Sequence, residues 1–169
     1  ALLLTQADSY PIFPSSLTFG YGAGDTPWKD ERMRQAVSML IDRELLIDNQ
    51  GNRPAFTAEG IDIKAKYHST VGVGAEGYWI DPQDTKAFGE WAKVYTYNVT
   101  EAKKLMAAAG FANGVDTLLH YNVETQYGAI YTRRAELISA MLTESGLVRA
   151  KLDGRAYQND WVPNYHYGY

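Results

Sequence analysis

Apolar residues recur at helical spacing in three stretches of the chain and alternate with polar ones in a fourth. Met33, Ala36, Val37, Leu40 and Ile41 fall at i, i+3, i+4, i+7 and i+8, the stripe of a helix. Thr26 with Pro27 behind it, or Asp30 a little later, can cap that helix. Asp42 restarts the pattern, with Leu45 and Leu46 inward and Gly51 at the end. A second stripe consists of Ala102, Leu105, Met106 and Ala109. It is preceded by Asn98-x-x-Glu101, a capping box with Asn in place of Ser or Thr, and followed by Gly110. Tyr131, Ala135, Ile138 and Leu142 make the third, closed by Gly146. Residues 117–123 read as a strand, and Val148, Ala150 and Leu152 alternate with Arg149, Lys151 and Asp153 as a half-buried one. Strand, helix and strand with short joins predict a βαβ unit with parallel strands and a right-handed crossover.

The rest of the chain is less periodic. Residues 1–16 hold two prolines and no clear period, and residues 17–21 suggest a short strand ended by Gly22-Ala23-Gly24-Asp25. Residues 52–97 carry Pro54, Gly60, Gly72, Gly74, Gly77 and Pro82, with one helical turn expected around 85–91. A connection this long without regular structure is commonly functional or wraps a neighbour. Residues 157–169 read as a short helix rich in aromatics.

Composition narrows the function classes. A chain of 169 residues suits one domain with a real core. A net charge of −4, with basic residues scattered rather than massed, argues against a nucleic-acid surface. There is no cysteine, so disulfides and thiolate metal sites are excluded. His68, His120 and His166 lie far apart, without metal-ligand spacing, and no cofactor is expected. Nucleophile elbow, Gly-Lys-Ser/Thr phosphate loop and GxGxxG turn are all absent; Gly20-x-Gly22-x-Gly24 lacks the dinucleotide spacing. No apolar run approaches the roughly 20 residues that span a bilayer, and Leu2–Leu4 is too short for a signal-peptide core.

Three blocks carry a family resemblance. Pro27-Trp28-Lys29-Asp30-Glu31-Arg32-Met33-Arg34-Gln35-Ala36, continuing to Ile41-Asp42-Arg43, resembles the signature of family 5 extracellular solute-binding proteins, with Trp28 in place of Phe. Tyr97-Asn98-Val99-Thr100-Glu101-Ala102-Lys103-Lys104-Leu105, then Ala109-Gly110, is similar to a second block, Asn-Val standing for Asp-Pro. Leu119-His120-Tyr121-Asn122, with Glu136 through Gly146-Leu147, is similar to a third. The resemblance implies an α/β fold: a lobe of the type II periplasmic-binding-protein kind, with a mixed sheet flanked by helices. It implies a bilobed receptor that captures a peptide-like or other small solute outside the cytoplasmic membrane and hands it to an ABC permease. On that reading residues 1–169 form one lobe. The N-terminal lobe, export signal and last strands lie elsewhere in the protein, and an exposed apolar face is expected that self-association could cover.

Candidate residues follow. Arg32, Arg34, Asp42 and Arg43 invite a ligand-binding reading, since guanidinium groups grip carboxylates. The resemblance implies instead a structural ion-pair network, with Asp42 paired to Arg34 or Arg32. Thirteen Tyr and four Trp supply flat amphipathic rings suited to a ligand wall, or to a core. Among them Trp161, in Gln158-Asn159-Asp160-Trp161, resembles a pocket-lining Trp of oligopeptide-binding members, and Tyr127 is a second candidate. No catalytic residue is assigned. The competing reading is a small enzyme with an aromatic-lined cleft such as a glycoside hydrolase, which needs two facing carboxylates roughly 5–9.5 Å apart.

Overall fold

A computed structural model describes residues 16–20, 24–64, 66–123 and 129–166, with the side chains of 165 and 166 set aside. The helices come first. Thr26 caps a 3₁₀ turn at Pro27–Lys29, and Asp30 caps α1, Glu31–Met39. Both expected caps are therefore used, each by its own element. The stripe lies inward as its spacing requires: Met33, Ala36 and Leu40 are fully buried, and Val37 and Ile41 nearly so. Asp42 caps α2, Arg43–Gly51, by accepting the N–H of Leu45 at 3.1 Å. Leu46 packs on the core, whereas Leu45, expected inward beside it, is 45% exposed. Asn52 follows in the left-handed conformation, which Asn tolerates, and leads into the short α3, Arg53–Ala58.

α5, Val99–Ala108, packs on α1 and buries Ala102 and Met106. Asn98 Oδ1 accepts the N–H of Glu101 at 3.0 Å, the expected cap. The Glu101 side chain turns to Lys104, and the N–H of Asn98 donates to Met39 O at 2.8 Å. One residue thus closes the start of α5 and the end of α1. At the other end Gly110 N–H donates to Ala107 O and Phe111 N–H to Met106 O, a Schellman closure around Gly110 at φ +92°.

β1, Val115–Asn122, and β2, Val148–Arg155, form a two-stranded parallel sheet with Val115 opposite Val148 and Asn122 opposite Arg155. The 15-residue α6, Ile130–Glu144, covers one face, burying Ala135, Ile138, Met141 and Leu142. Ser139 Oγ donates to Ala150 O at 2.6 Å, so helix and strand are also hydrogen-bonded. Just before the ladder stands Gly114, whose φ of +76° and whose close approach leave no room for a side chain: a Cβ would stand 2.5 Å from Leu147 O. The ladder runs past Leu152 because Gly154 lets Val123 and Tyr121 lie against its backbone. The expected parallel pair is present, and each strand is longer than its pattern of apolar residues. The suggested strand at 17–21 is not formed among the described residues 16–20.

Residues 59–64 and 66–97 form a strap with little regular structure: α4 at Thr85–Phe88 and a 3₁₀ segment at Gly89–Tyr95. Side chains fix it. Tyr67 Oη donates to Glu44 at 2.7 Å, Trp79 Nε1 donates to Tyr67 O at 3.0 Å, and Ser38 Oγ donates to Val94 O at 2.6 Å. After β2 the chain turns into a π-helix at Tyr157–His166.

Candidate functional site

The four residues of the first block do four separate jobs. Arg32 pairs with Asp30 at 2.6 Å and donates to Ala108 O at 2.7 Å, tying the start of α1 to the end of α5. Arg34 donates to Trp28 O and Lys29 O, clasping the 3₁₀ turn. Arg43 donates to Ser38 O at 3.0 Å, to Tyr95 O at 3.1 Å and to Ser38 Oγ at 2.8 Å, with its guanidinium 5.0 Å from the Tyr95 ring centre. Burial lowers its pKa from the ordinary arginine value. The expected ion pair between Asp42 and Arg34 or Arg32 is not made. A capping carboxylate faces the first N–H groups of its own helix, so Asp42 is committed to α2. Among the described contacts these residues hold the lobe together through the Arg32–Asp30 pair, carbonyl oxygens and a cap.

Groups suited to meeting a ligand gather instead at the carboxyl ends of β1 and β2. In open α/β sheets this is where ligands bind. His120 and Asp153 are opposite in the ladder, with Nδ1 and Oδ2 2.9 Å apart. Arg155 Nε donates to the same Asp153 oxygen at 2.9 Å, a bond its NH2 group joins, while NH1 reaches Asp160 at 2.9 Å. Asp160 Oδ1 in turn accepts from Asn164 Nδ2 at 2.7 Å. Trp161 is the next residue on that helix and is half-buried. Arg155, then Asn164, hold the Asp160 carboxyl below the usual carboxylate range.

That electrostatic setting bears on acid–base chemistry. A general acid at neutral pH needs a raised pKa, and Asp160 is shifted the other way by two hydrogen-bonded partners. Asp153 and Asp160 are bound to one arginine rather than facing each other across a water-filled gap. The pair does not have a glycoside hydrolase arrangement.

Of the sequence candidates, Trp161 lies at this end of the sheet, and Tyr127 falls outside the described residues. None of His120, Asp153, Arg155 and Asp160 is among the site residues expected from the sequence, although His120, Asp153 and Asp160 stand in patterns it shows. Arg155, the last residue of β2, reaches Asp160 across the turn into the π-helix, a contact between two elements that no spacing within one element signals. Away from the strand ends, a groove of about 440 Å³ is lined by Met39, Thr85, Glu90, Lys93, Thr96 and Asn98 among others. Asn98 there is already spent on capping α5. Among the described residues no helix is long and apolar enough to cross a membrane.

A search of curated proteins finds none that matches the chain. The family model "Bacterial extracellular solute-binding proteins, family 5 Middle" matches residues 8–167. Helices flanking a small parallel sheet agree with a lobe of that kind. Membership carries a substrate-binding role in ABC import, with a small solute and an ABC permease as partners, in a family that is generally non-enzymatic and extracellular. The chain belongs to the bacterial extracellular solute-binding proteins of family 5.

Proposed function

We propose that this chain is one lobe of a two-lobed receptor. It takes a peptide-like solute at the carboxyl ends of β1 and β2, with the Trp161 ring against the solute. The observation that carries this reading is the position of Trp161, a half-buried aromatic on the helix entered directly from β2. A ring there offers apolar area and an indole N–H while fixing only two side-chain torsions. The flanking His120, Asp153, Arg155 and Asp160 make this end of the sheet polar, a setting that suits the termini and amides of a peptide.

The two-lobe reading is supported by the matching model's own description as a middle part. It is also supported by large side chains left in water: Tyr78 is 82% exposed, and Trp91 and Tyr97 are each half exposed. A partner lobe would cover such a surface, and in the isolated chain a second copy would pack there. The receptor would work in the periplasm or tethered to the outer face of the cytoplasmic membrane, closing its lobes by a hinge.

The test is calorimetric titration of the two-lobed protein with tri-alanine and tetra-alanine, before and after Trp161→Ala. The substitution should weaken binding by roughly 1–3 kcal/mol, the range for a well-packed anchor, with little change in unfolding temperature. Peptides that fail to bind the unaltered protein would rule out the peptide class. Unchanged affinity with a large fall in unfolding temperature would make Trp161 a core residue.

A further inference from the structure

The π-helix that carries Trp161 is an unusual support. Hydrogen bonds from i to i+5 leave a wide, poorly packed backbone that rarely persists unaided, and such turns occur often at functional sites. Here the first turn shares one acceptor: the N–H groups of Asp160 and Trp161 both donate to Ala156 O, at 3.0 and 2.9 Å. Pro163, inside the helix, has no N–H to contribute. One N–H of the helical ladder is therefore missing.

Side chains compensate along one edge. Arg155 stands at the last rung of the sheet, opposite Asn122. One arm of its guanidinium holds Asp153 within β2, and the other holds Asp160 within the helix. Asn164 Nδ2, a turn further on, donates to both the carboxylate and the carbonyl oxygen of Asp160, at 2.7 and 2.9 Å. A planar fork can serve two carboxylates at once in fixed directions, which a lysine cannot. The side chains of Arg155 and Asp160 are only 32% and 27% exposed.

We infer that Arg155 is a positioning residue: by bridging Asp153 to Asp160 it fixes the π-helix on the end of the sheet and so sets where the Trp161 ring stands. This rests on the proposed role of Trp161 for its effect on solute binding. Its effect on the ring itself does not depend on that role. Arg155 need not touch the solute. Charge alone is insufficient, since the function lies in the two fixed directions of the fork.

The experiment uses the two-lobed protein labelled with 5-fluorotryptophan, the Trp161 resonance being assigned by its loss in Trp161→Phe. Arg155→Lys and Asp160→Ala should each shift or broaden that resonance while those of Trp28, Trp79 and Trp91 stay in place. Each should also raise the Kd for tri-alanine by about fivefold, as expected when one hydrogen-bonded partner of an anchor is lost. Asn164→Ala removes the lesser hold and should give a smaller shift of the same resonance, in a variant that keeps the fork if the others fold poorly. A Trp161 signal unmoved in Arg155→Lys and in Asp160→Ala overturns the inference. So does movement of the Trp28, Trp79 and Trp91 signals together with it, which would mean general loosening. If Trp161→Ala leaves affinity unchanged while the Trp161 signal still follows Arg155, the solute-binding reading falls and the fork stands.

Discussion

In residues 98–155 backbone groups bond to one another along α5, β1, α6 and β2, leaving side chains to build a core. In residues 59–97 the side chains do much of the bonding. The first region buries Ala102, Met106, Val115, Ile138, Met141, Leu142, Leu147, Val148 and Ala150. Among the described residues of the second the buried ones are Gly72, Val73, Pro82 and Ala92, while Tyr78, Ile80, Trp91 and Tyr97 are exposed. The strap stays in place through single contacts, such as Tyr67 on Glu44 and Trp79 on the Tyr67 carbonyl. Packed regions fail cooperatively, and a strap of this kind opens locally at lower free energy.

The largest effect should come from the packed side. Met106 is fully buried between α5 and α1, and Met106→Ala should cost about 2–5 kcal/mol in global denaturation. A loss well under that range would mean the core can collapse around the gap, and the contrast between the regions would shrink.

The middle effect belongs to the strap. Trp79→Phe keeps a ring but removes the donor to Tyr67 O, an exchange of about 1 kcal/mol. It should appear as faster amide exchange over residues 66–80, with the global transition nearly unmoved. A shift of that transition as large as the one from Met106→Ala would break the contrast altogether.

The smallest effect is one of pH. His68 Nδ1 accepts the Val73 N–H at 3.0 Å, which only an unprotonated nitrogen can do. Burial lowers its pKa from the ordinary 6.5. The unfolded chain therefore takes up the proton first. Stability is complete above about pH 6.5 and falls as pH drops through the lowered folded value. The Val73 amide should exchange faster in that window, and His68→Asn, with an oxygen acceptor that does not titrate there, should abolish the dependence. Equal pH dependence in both proteins would place the switch elsewhere.

Much of the packed region could be read from residue spacing, because a helix with one buried face writes its period into the chain. The Asn98 cap and the Gly110 closure were legible for the same reason: each depends on residues within one turn. The length of β2 was not legible, since Asp153-Gly154-Arg155 breaks the alternation although the ladder with β1 continues. Met39, 1% exposed, lay off the expected stripe because it faces the groove beside Asn98, a contact set by tertiary packing. Tyr131, placed on an inward stripe, is 45% exposed, since α6 begins beyond the reach of the sheet it covers. The Arg155 fork escaped notice because it joins the end of β2 to the helix that follows, and a contact between two elements leaves no period in the sequence.

The unbroken register of β1 and β2 also governs how the chain reaches this structure. All eight pairs join residues the same distance apart in sequence, so the first rung to form closes the loop for every other. Closure entropy grows only logarithmically with loop length, and α6 shortens the loop once it has coiled. A parallel pair is ordinarily slow to form, because closure must precede its reward. Here a single closure event suffices, which makes β1, α6 and β2 the natural folding nucleus. The strap, bound to it through few contacts, would then settle late, after the transition state has been crossed.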